Sequence, residues 1–341
     1  MSTIRDVAAA ANVSITTVSK VFNGYGSVSE ETRRRVLAAA QAQNYSPNRS
    51  AVQLVRGQRD TLGFMNALMG RESARDEFLL SIINGIYGKA EAMGMNVMMF
   101  TPSSLCRRGQ KYAQFCQANN LAAMIVFGLD PGDPEIPSVM QCGIPLVFLD
   151  SDMAGERVST VSVDNEAASL DMTEKCIHQG HRDILFVGGT EGVYVSFARQ
   201  RGYLKALRKA GIDKAHIVTG EFNLKTAYAR VKEYIFFHPE ITAIFCASDL
   251  MAVGAINACA DMNYRVPEDI SVVGFDNLSY CEYIRPQLTT VEQDFYQIGM
   301  KAVEVAGRLA ADEAVDVHNY VPYRIVLRSS LVHVGNSHSS Q

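Results

Sequence analysis

Two groups of residues in this chain have types and spacings that could do chemistry. The first is a run of short hydroxyls, Ser14, Thr16, Thr17 and Ser19, followed by Lys20, interleaved with apolar Val13, Val18, Val21 and Phe22 in NVSITTVSKVFNG. Ser and Thr compete for backbone hydrogen bonds and weaken a helix, so a helix that collects them on one face reserves that face for touching something. Small hydroxyls admit close approach to phosphates and base edges, Ile15 can meet a thymine methyl, and Lys20 can reach a guanine or a phosphate. Taken singly, Thr16 and Thr17 read as ordinary surface residues; their helical setting and the local charge favour nucleic acid. The second group is carboxylates at the ends of apolar strand-like runs: Asp150, Asp164, Asp249 and Asp276. In parallel α/β sheets ligands bind beyond the strand C-termini.

Other chemistries lack their signatures. No Gly-x-Gly-x-x-Gly or phosphate-loop motif follows a strand, and GHRDILFVGGTEG is only loosely glycine-rich, which counts against the rival reading of a nucleotide-binding enzyme. The seven cysteines form no Cys-x-x-Cys pair and suit free thiols in a reducing cytoplasm. His178 and His181 are separated by helix-ending Gly180, so they are not expected to share a metal. No catalytic residue, metal or cofactor is expected.

The hydroxyl-bearing helix needs a frame. Thr3 with Asp6 three residues later predicts a capped helix carrying Ile4, Val7, Ala8 and Ala11 at helical spacing. Asn12 suits the break, and Ser14 caps a second helix from about Ile15 to Phe22. Ser29 caps a third in VSEETRRRVLAAAQAQ, with Glu30 and Glu31 at its positive end and Val36, Leu37 and Ala40 as the buried stripe. Two short helices closed by a third make a helix-turn-helix. Pro47 then stops the chain before SPNRSAVQLVRGQRDTLG, where residues 48–55 read either as a short helix too small to stand alone or as a flexible linker.

The charge is divided along the chain in the same way. At 341 residues, 48% apolar and 20% charged, the composition is that of a soluble globular protein of more than one domain. The net charge of −4 would argue against nucleic acid, yet residues 1–59 hold eight basic against three acidic residues and the remainder is −9. A basic piece on an acidic body suits a DNA-binding head joined to something else. An early acid and no continuous apolar stretch at the N-terminus argue against a signal peptide, and no run is long enough to span a bilayer. The expected location is cytoplasmic, with no membrane partner.

In the body, strand-like runs at 61–67, 96–100, 122–128, 145–150, 183–189, 242–248 and 271–276 alternate with helical segments such as FLLSIINGIYGKAEAMG, NEAASLDMTEKCIHQG, ARQRGYLKALRKAG and DLMAVGAINACADMN. Alternation of this kind predicts parallel sheets covered on both faces.

TIRDVAAAANVSITTVSKVFNG, VSEETRRRV and NYSPN, together with GHRDILFVGG, RQRGYLKAL, ASDLMAVGAI, VPEDISVVGFDN and RPQLTTVEQDFYQIG, closely resemble the lac repressor/galactose repressor family of bacterial transcription regulators, to about residue 330. The resemblance implies an all-α helix-turn-helix headpiece (1–47), a hinge helix and linker (48–60), and an α/β periplasmic-binding-protein-like effector and dimerisation domain (61–330) of two doubly wound parallel-sheet subdomains. The N-subdomain would hold 61–161 plus 291–321, the C-subdomain 162–290 plus 322–330, and 331–341 would be a polar tail. DNA contacts implied by the family pattern fall on Thr3, Ile15, Thr16, Thr17, Ser19, Lys20, Asn23, Asn48 and Ala51, with Leu54 as a minor-groove wedge. Val52 follows Ala51 where the family usually has Arg, which removes one expected contact.

Between the subdomains, Arg199 in RQRGY and Asp276 in GFDN match the family's effector-holding pair, suited to a polyhydroxylated molecule. Phe222 matches a position that stacks on some effectors and Phe78 could cover the mouth, though ordinary core packing serves equally for both. Asp249 reads as a helix cap with a ligand contact as the alternative; Asn66 and Ser196 complete the set. Asp76-Glu77-Phe78-Leu79 replaces the family's usual Asn-Pro-Phe-Phe, so effector identity does not carry over. A sugar or sugar derivative is the family's commonest effector; a purine or other corepressing metabolite is the alternative. A palindromic operator, a homodimer and effector-controlled hinge pairing complete the expectation, and VLRSSLVHVGNSHSSQ is too short and polar for a tetramerising heptad tail.

Overall fold

The computed structural model describes residues 2–22, 27–45, 59–67, 77–102, 112–129 and 132–334. The chain divides into two compact units, Met1–Arg59 and Asp60–Gln341. The expected hinge, with Asn48, Ala51 and Leu54, lies outside the described residues, as do Asn23, Cys106 and most of the polar tail.

In the first unit α1 is Ile4–Ala10, α2 Ile15–Phe22 and α3 Glu30–Ala42. Thr3 and Asp6 form a reciprocal capping box at α1, Asn12 takes the left-handed conformation that turns the chain (φ 50°), and Ser14 Oγ accepts from Thr17 N at 3.1 Å to start α2. Ser29 caps α3 through Thr32 N. Val7, Ala8, Ala11, Val18, Val21, Val36 and Ala40 form the small core. Leu37 does not belong to it. One residue beyond Val36 turns the helix by about 100°, and Leu37 is left 47% exposed.

The second unit holds two six-stranded sheets. The first contains β1 (Thr61–Asn66), β2 (Asn96–Phe100), β3 (Leu121–Phe127), β4 (Leu146–Leu149), β5 (Val158–Ser162) and β11 (His318–Tyr320), in the order β11-β5-β4-β3-β1-β2. The second contains β6 (Ile184–Gly188), β7 (His216–Thr219), β8 (Ala243–Cys246), β9 (Ser271–Asp276), β10 (Thr289–Gln293) and β12 (Tyr323–Val326), in the order β12-β10-β9-β8-β6-β7. Pairing is parallel except for β10 with β12. The middle strands are buried on both faces, as β3 is along its whole length.

The helices are α4 (Glu77–Ala92), α5 (Tyr112–Ala118), α6 (Ile136–Met140), α7 (Asn165–His178), α8 (Tyr194–Lys209), α9 (Leu224–Phe237), α10 (Asp249–Asp261) and α11 (Phe295–Ala310). The chain passes between sheets after β5, after β10 and between β11 and β12. The middle passage follows Gln293, because β10 lies wholly in the second sheet; a boundary at 290/291 would cut that strand. Helices α4 and α11 cross closely at glycines, where a Cβ on Gly85 would strike the Tyr296 carbonyl and one on Gly299 the Ile82 carbonyl.

Candidate functional site

In the first unit, α2 turns Val18 and Val21 inward and leaves Ile15 (44% exposed), Thr16 and Lys20 outward, with Thr17 and Ser19 half-buried beside them. The Thr17 hydroxyl lies 2.9 Å from that of Ser14, so it serves the cap as well as the outer face. Thr3 is also committed, its hydroxyl donating to Asp6 Oδ2 at 2.8 Å. The outer face therefore carries an apolar tip, the hydroxyls of Thr16, Thr17 and Ser19 and one cation on a helix held at its base by a valine core, the kind of surface that can read base edges in a major groove.

In the second unit the C-terminal strand ends of both sheets contribute to one charged cluster. Arg199, projecting from α8 and 3% exposed, donates from Nε to Asn165 Oδ1 at 2.8 Å and from Nη1 to the Ala247 carbonyl. Nη1 lies 3.6 Å from Asp276 Oδ1, and the guanidinium sits 3.7 Å over the Phe275 ring. Asp276, at the end of β9, also accepts from Gln293 Nε2 at 2.8 Å. Burial pushes its carboxyl up to about 8 despite the arginine's pull. Asp150, just past β4 in the other sheet, is raised by burial to about 6 against the attraction of Arg199. One cation thus faces several carboxylates, and the site is short of hydrogen-bond donors.

Backbone and orphaned atoms mark the same place. Asp150 (φ 51°), Phe222 (φ 52°) and Asp276 (φ 123°) all adopt positive-φ conformations that side-chain-bearing residues avoid, a kind of strain that gathers at ligand sites. Asp150 Oδ1, Ser196 Oγ and Gln293 Oε1 are buried without a hydrogen-bond partner, a cost of roughly 1–3 kcal/mol each when nothing answers them. The Phe222 ring and Ser196 Oγ both rest where a side chain on residue 189 would stand, which is why Gly189 is needed there.

The remaining candidates separate. Asp249 is fully buried at the first turn of α10, but the cap is Ser248, which accepts from Met251 N; the Asp249 carboxylate instead accepts from Thr290 Oγ1 at 2.6 Å and Leu278 N at 2.9 Å. Its role as a cap is corrected to that of a tie between α10, β10 and the segment after β9. Asn66 is buried at the end of β1. Phe78 packs its ring 5.4 Å from Phe295 and 6.2 Å from Phe127, and it also lines a cavity of about 230 Å³ with Glu77, Asn277, Glu292 and Gln293. A second cavity, of about 390 Å³, lies between Asp152 and the start of α8, where Tyr194, Phe197 and Arg201 line it.

Sequence reasoning missed two residues that bear on the cleft. Gln293, the last residue of β10 (TTVEQ), holds Asp276, and its strand was not among the apolar runs that the sequence singles out. Glu77 crosses between subdomains: its carboxylate accepts from Ser279 N at 3.1 Å and from Ser279 Oγ at 2.8 Å.

Comparison with known proteins accords with both halves of this geometry. Residues 3–48 match the model for bacterial regulatory proteins of the lacI family, and residues 173–331 match that for a periplasmic binding protein-like domain. The Bacillus subtilis (strain 168) protein named Probable HTH-type transcriptional repressor ExuR is 31% identical over 88% of this chain and 89% of its own. The Thermobifida fusca HTH-type transcriptional regulator CelR is 28% identical over 97% of this chain and 96% of its own. Among solved structures, the lac repressor dimer bound to operator and the anti-inducer ONPF superposes with a TM-score of 0.83 at 28% identity, covering 97% of this chain and 99% of that one. A CelR–cellobiose complex superposes at 0.72 and 26% identity, covering 97% and 100%.

Proposed function

The chain belongs to the lacI family of bacterial regulatory proteins, and from that premise we propose that it is a dimeric repressor whose affinity for a palindromic operator is set by a sugar or sugar derivative held between the two subdomains. The observation that carries the effector half is the donor-poor cluster of Arg199, Asp276 and Asp150, fed from the strand ends of both sheets. A polyhydroxylated ligand brings the donors that Asp150 Oδ1 and Gln293 Oε1 lack, and its ring oxygens can accept from the guanidinium. Phe222, raised on a left-handed turn beside Gly189, offers an apolar face to one side of a sugar ring; Ser196 supplies a hydroxyl next to it.

The DNA half rests on α2. Ile15, Thr16 and Lys20 read base edges, Thr17, Ser19 and Thr3 keep the backbone close to phosphates, Asn23, Asn48 and Ala51 add further DNA contacts, and Leu54 wedges into the minor groove. One headpiece buries little surface, so tight binding requires two on matching half-sites. An effector changes operator affinity only by preferring one arrangement of the subdomains: a ligand that prefers the DNA-incompatible arrangement induces, and the opposite preference corepresses. The chain's relatives are named as transcriptional regulators, which supports work in the cytoplasm, on the nucleoid through operator binding. No described helix is long and apolar enough to cross a membrane.

The test is a thermal-shift screen of the full-length protein against neutral sugars, sugar acids, nucleosides and amino acids, followed by operator titration with each hit. A hit among the sugars that alters operator affinity supports the reading. A nucleoside or amino acid as the sole hit replaces the effector class, and hits without effect on DNA binding overturn the coupling.

A further inference from the structure

Far from the effector-facing strand ends, at the opposite edge of the second sheet, metal-ligating side chains from separate chain segments meet. His216 opens β7, His238 follows the end of α9, and Glu240 lies in the turn leading to β8. Each offers one ligand atom, and the three lie within 4.8 Å of one another. Asp183, immediately before β6, places Oδ1 3.5 Å from His216 Nε2.

The cluster is built rather than incidental to an exposed surface. His216 is wholly buried; its backbone N–H donates to Tyr203 Oη at 3.1 Å and its Nδ1 is held by the Tyr234 hydroxyl at 3.0 Å. Its Nε2 is buried with no hydrogen-bond partner. The His238 ring stacks on Tyr234 at 4.3 Å, and its Nδ1 lies 3.2 Å from Glu240 Oε1. A histidine whose second nitrogen is fixed by an oriented hydroxyl has the arrangement that aims the first at a metal. A cation is already drawn to the place: Lys214 Nζ sits 2.7 Å from Glu240 on a side chain that is 59% exposed and free to swing into water.

We propose that His216, His238 and Glu240, with Asp183 beside them, form a binding site for a zinc-type divalent cation that ties the edge strand β7 to the end of α9 and the turn before β8. Two imidazoles with carboxylate oxygens are a ligand set for Zn²⁺. They are a poor one for Mg²⁺ or Ca²⁺, which take oxygen. The bound ion would replace the lysine ammonium at Glu240 and complete the partnerless nitrogen of His216. Such a site is structural and separate from effector recognition.

The experiment is calorimetric titration of chelator-stripped full-length protein with ZnCl₂, with thermal melts alongside. One ion per chain and a raised Tm are expected, with affinity at least tenfold weaker in both His238→Gln and Glu240→Gln, whose partly exposed positions spare the core. Lys214→Met should bind more tightly, because it removes the competing cation. Absence of zinc uptake by the wild-type protein overturns the site. So does uptake that both His238→Gln and Glu240→Gln leave unchanged, which would place the ion on thiols or cleft carboxylates, and so does weaker binding by Lys214→Met.

Discussion

A single guanidinium surrounded by carboxylates decides the chemistry of the cleft. Arg199 is held on three sides by Asn165, the Ala247 carbonyl and Asp276, so at the proposed site a ligand would meet an arginine already aimed. Asp276, raised to about 8, and Asp150, raised to about 6, are largely or partly protonated near neutrality without ligand. Ligand hydroxyls donating to these oxygens favour the charged form, so binding should release protons and affinity should rise as the pH goes from 6 to 8; calorimetry in buffers of different ionisation enthalpy reads this directly. The folding contribution has the same origin. A carboxyl with its folded pKa above its unfolded value favours the native state at low pH, and that contribution is lost as pH rises through the folded pKa. Replacing Asp276 with Asn should therefore raise the Tm more at pH 9 than at pH 6, while abolishing the effector response and sparing DNA binding. On α2, exchanging Ile15 and Thr16 should alter operator preference more than overall affinity, measured by competition between operator variants; equal loss on every sequence would mean these residues do not read bases.

Elements show where the sequence was readable and where it was not. Helices α1 to α3 were legible because caps and apolar spacing agree: Thr3 with Asp6, Ser14 and Ser29 each open a helix whose valines point one way. Leu37 broke the pattern because an apolar residue next to a buried one on a helix need not share its face. The apolar strands β1, β3, β6, β8 and β9 stood out, whereas β5 (VSTVS), β7 (HIVT) and β10 (TTVEQ) did not. In β5 and β10 buried hydroxyls find partners far along the chain, as Ser159 does at the Asp316 carbonyl and Thr290 at Asp249. Arg199 and Asp276, singled out by their motifs, lie side by side; the tie of Glu77 to Ser279, 202 residues away, had no local signal. The contact between α4 and α11 gives a direct stability test. Gly299→Ala would force the two backbones apart, and overpacking of this kind costs about 1–3 kcal/mol, read by urea denaturation; a change under a few tenths would show that the helices part freely. At the cap of α1, Thr3→Ala should cost about 0.5–2 kcal/mol of headpiece stability, seen as earlier loss of operator binding on heating.

At the scale of the molecule, a basic head and an acidic body divide the labour: residues 1–59 carry the positive excess and the remainder is −9. That charge layout favours the head over the body as the part that contacts DNA, where basic residues gain from counterion release. In the proposed dimer two heads double the phosphate contacts, so a chain unable to dimerise should lose affinity and about half of its salt dependence. In the proposed function the effector cleft lies in the body and acts on the head through the arrangement of the subdomains, which Glu77 and Ser279 bridge from opposite sides. The measurement that bears most directly on this account is fluorescence-anisotropy titration of the full-length protein with duplexes from its own upstream region, across a range of salt and with and without the ligand found by thermal shift. The account predicts binding that weakens steadily as salt rises, and an apparent Kd that the ligand moves at least fivefold in wild type but leaves unmoved in Arg199→Ala. Absence of salt-sensitive binding to any such duplex, or a ligand effect that survives in Arg199→Ala, would contradict it.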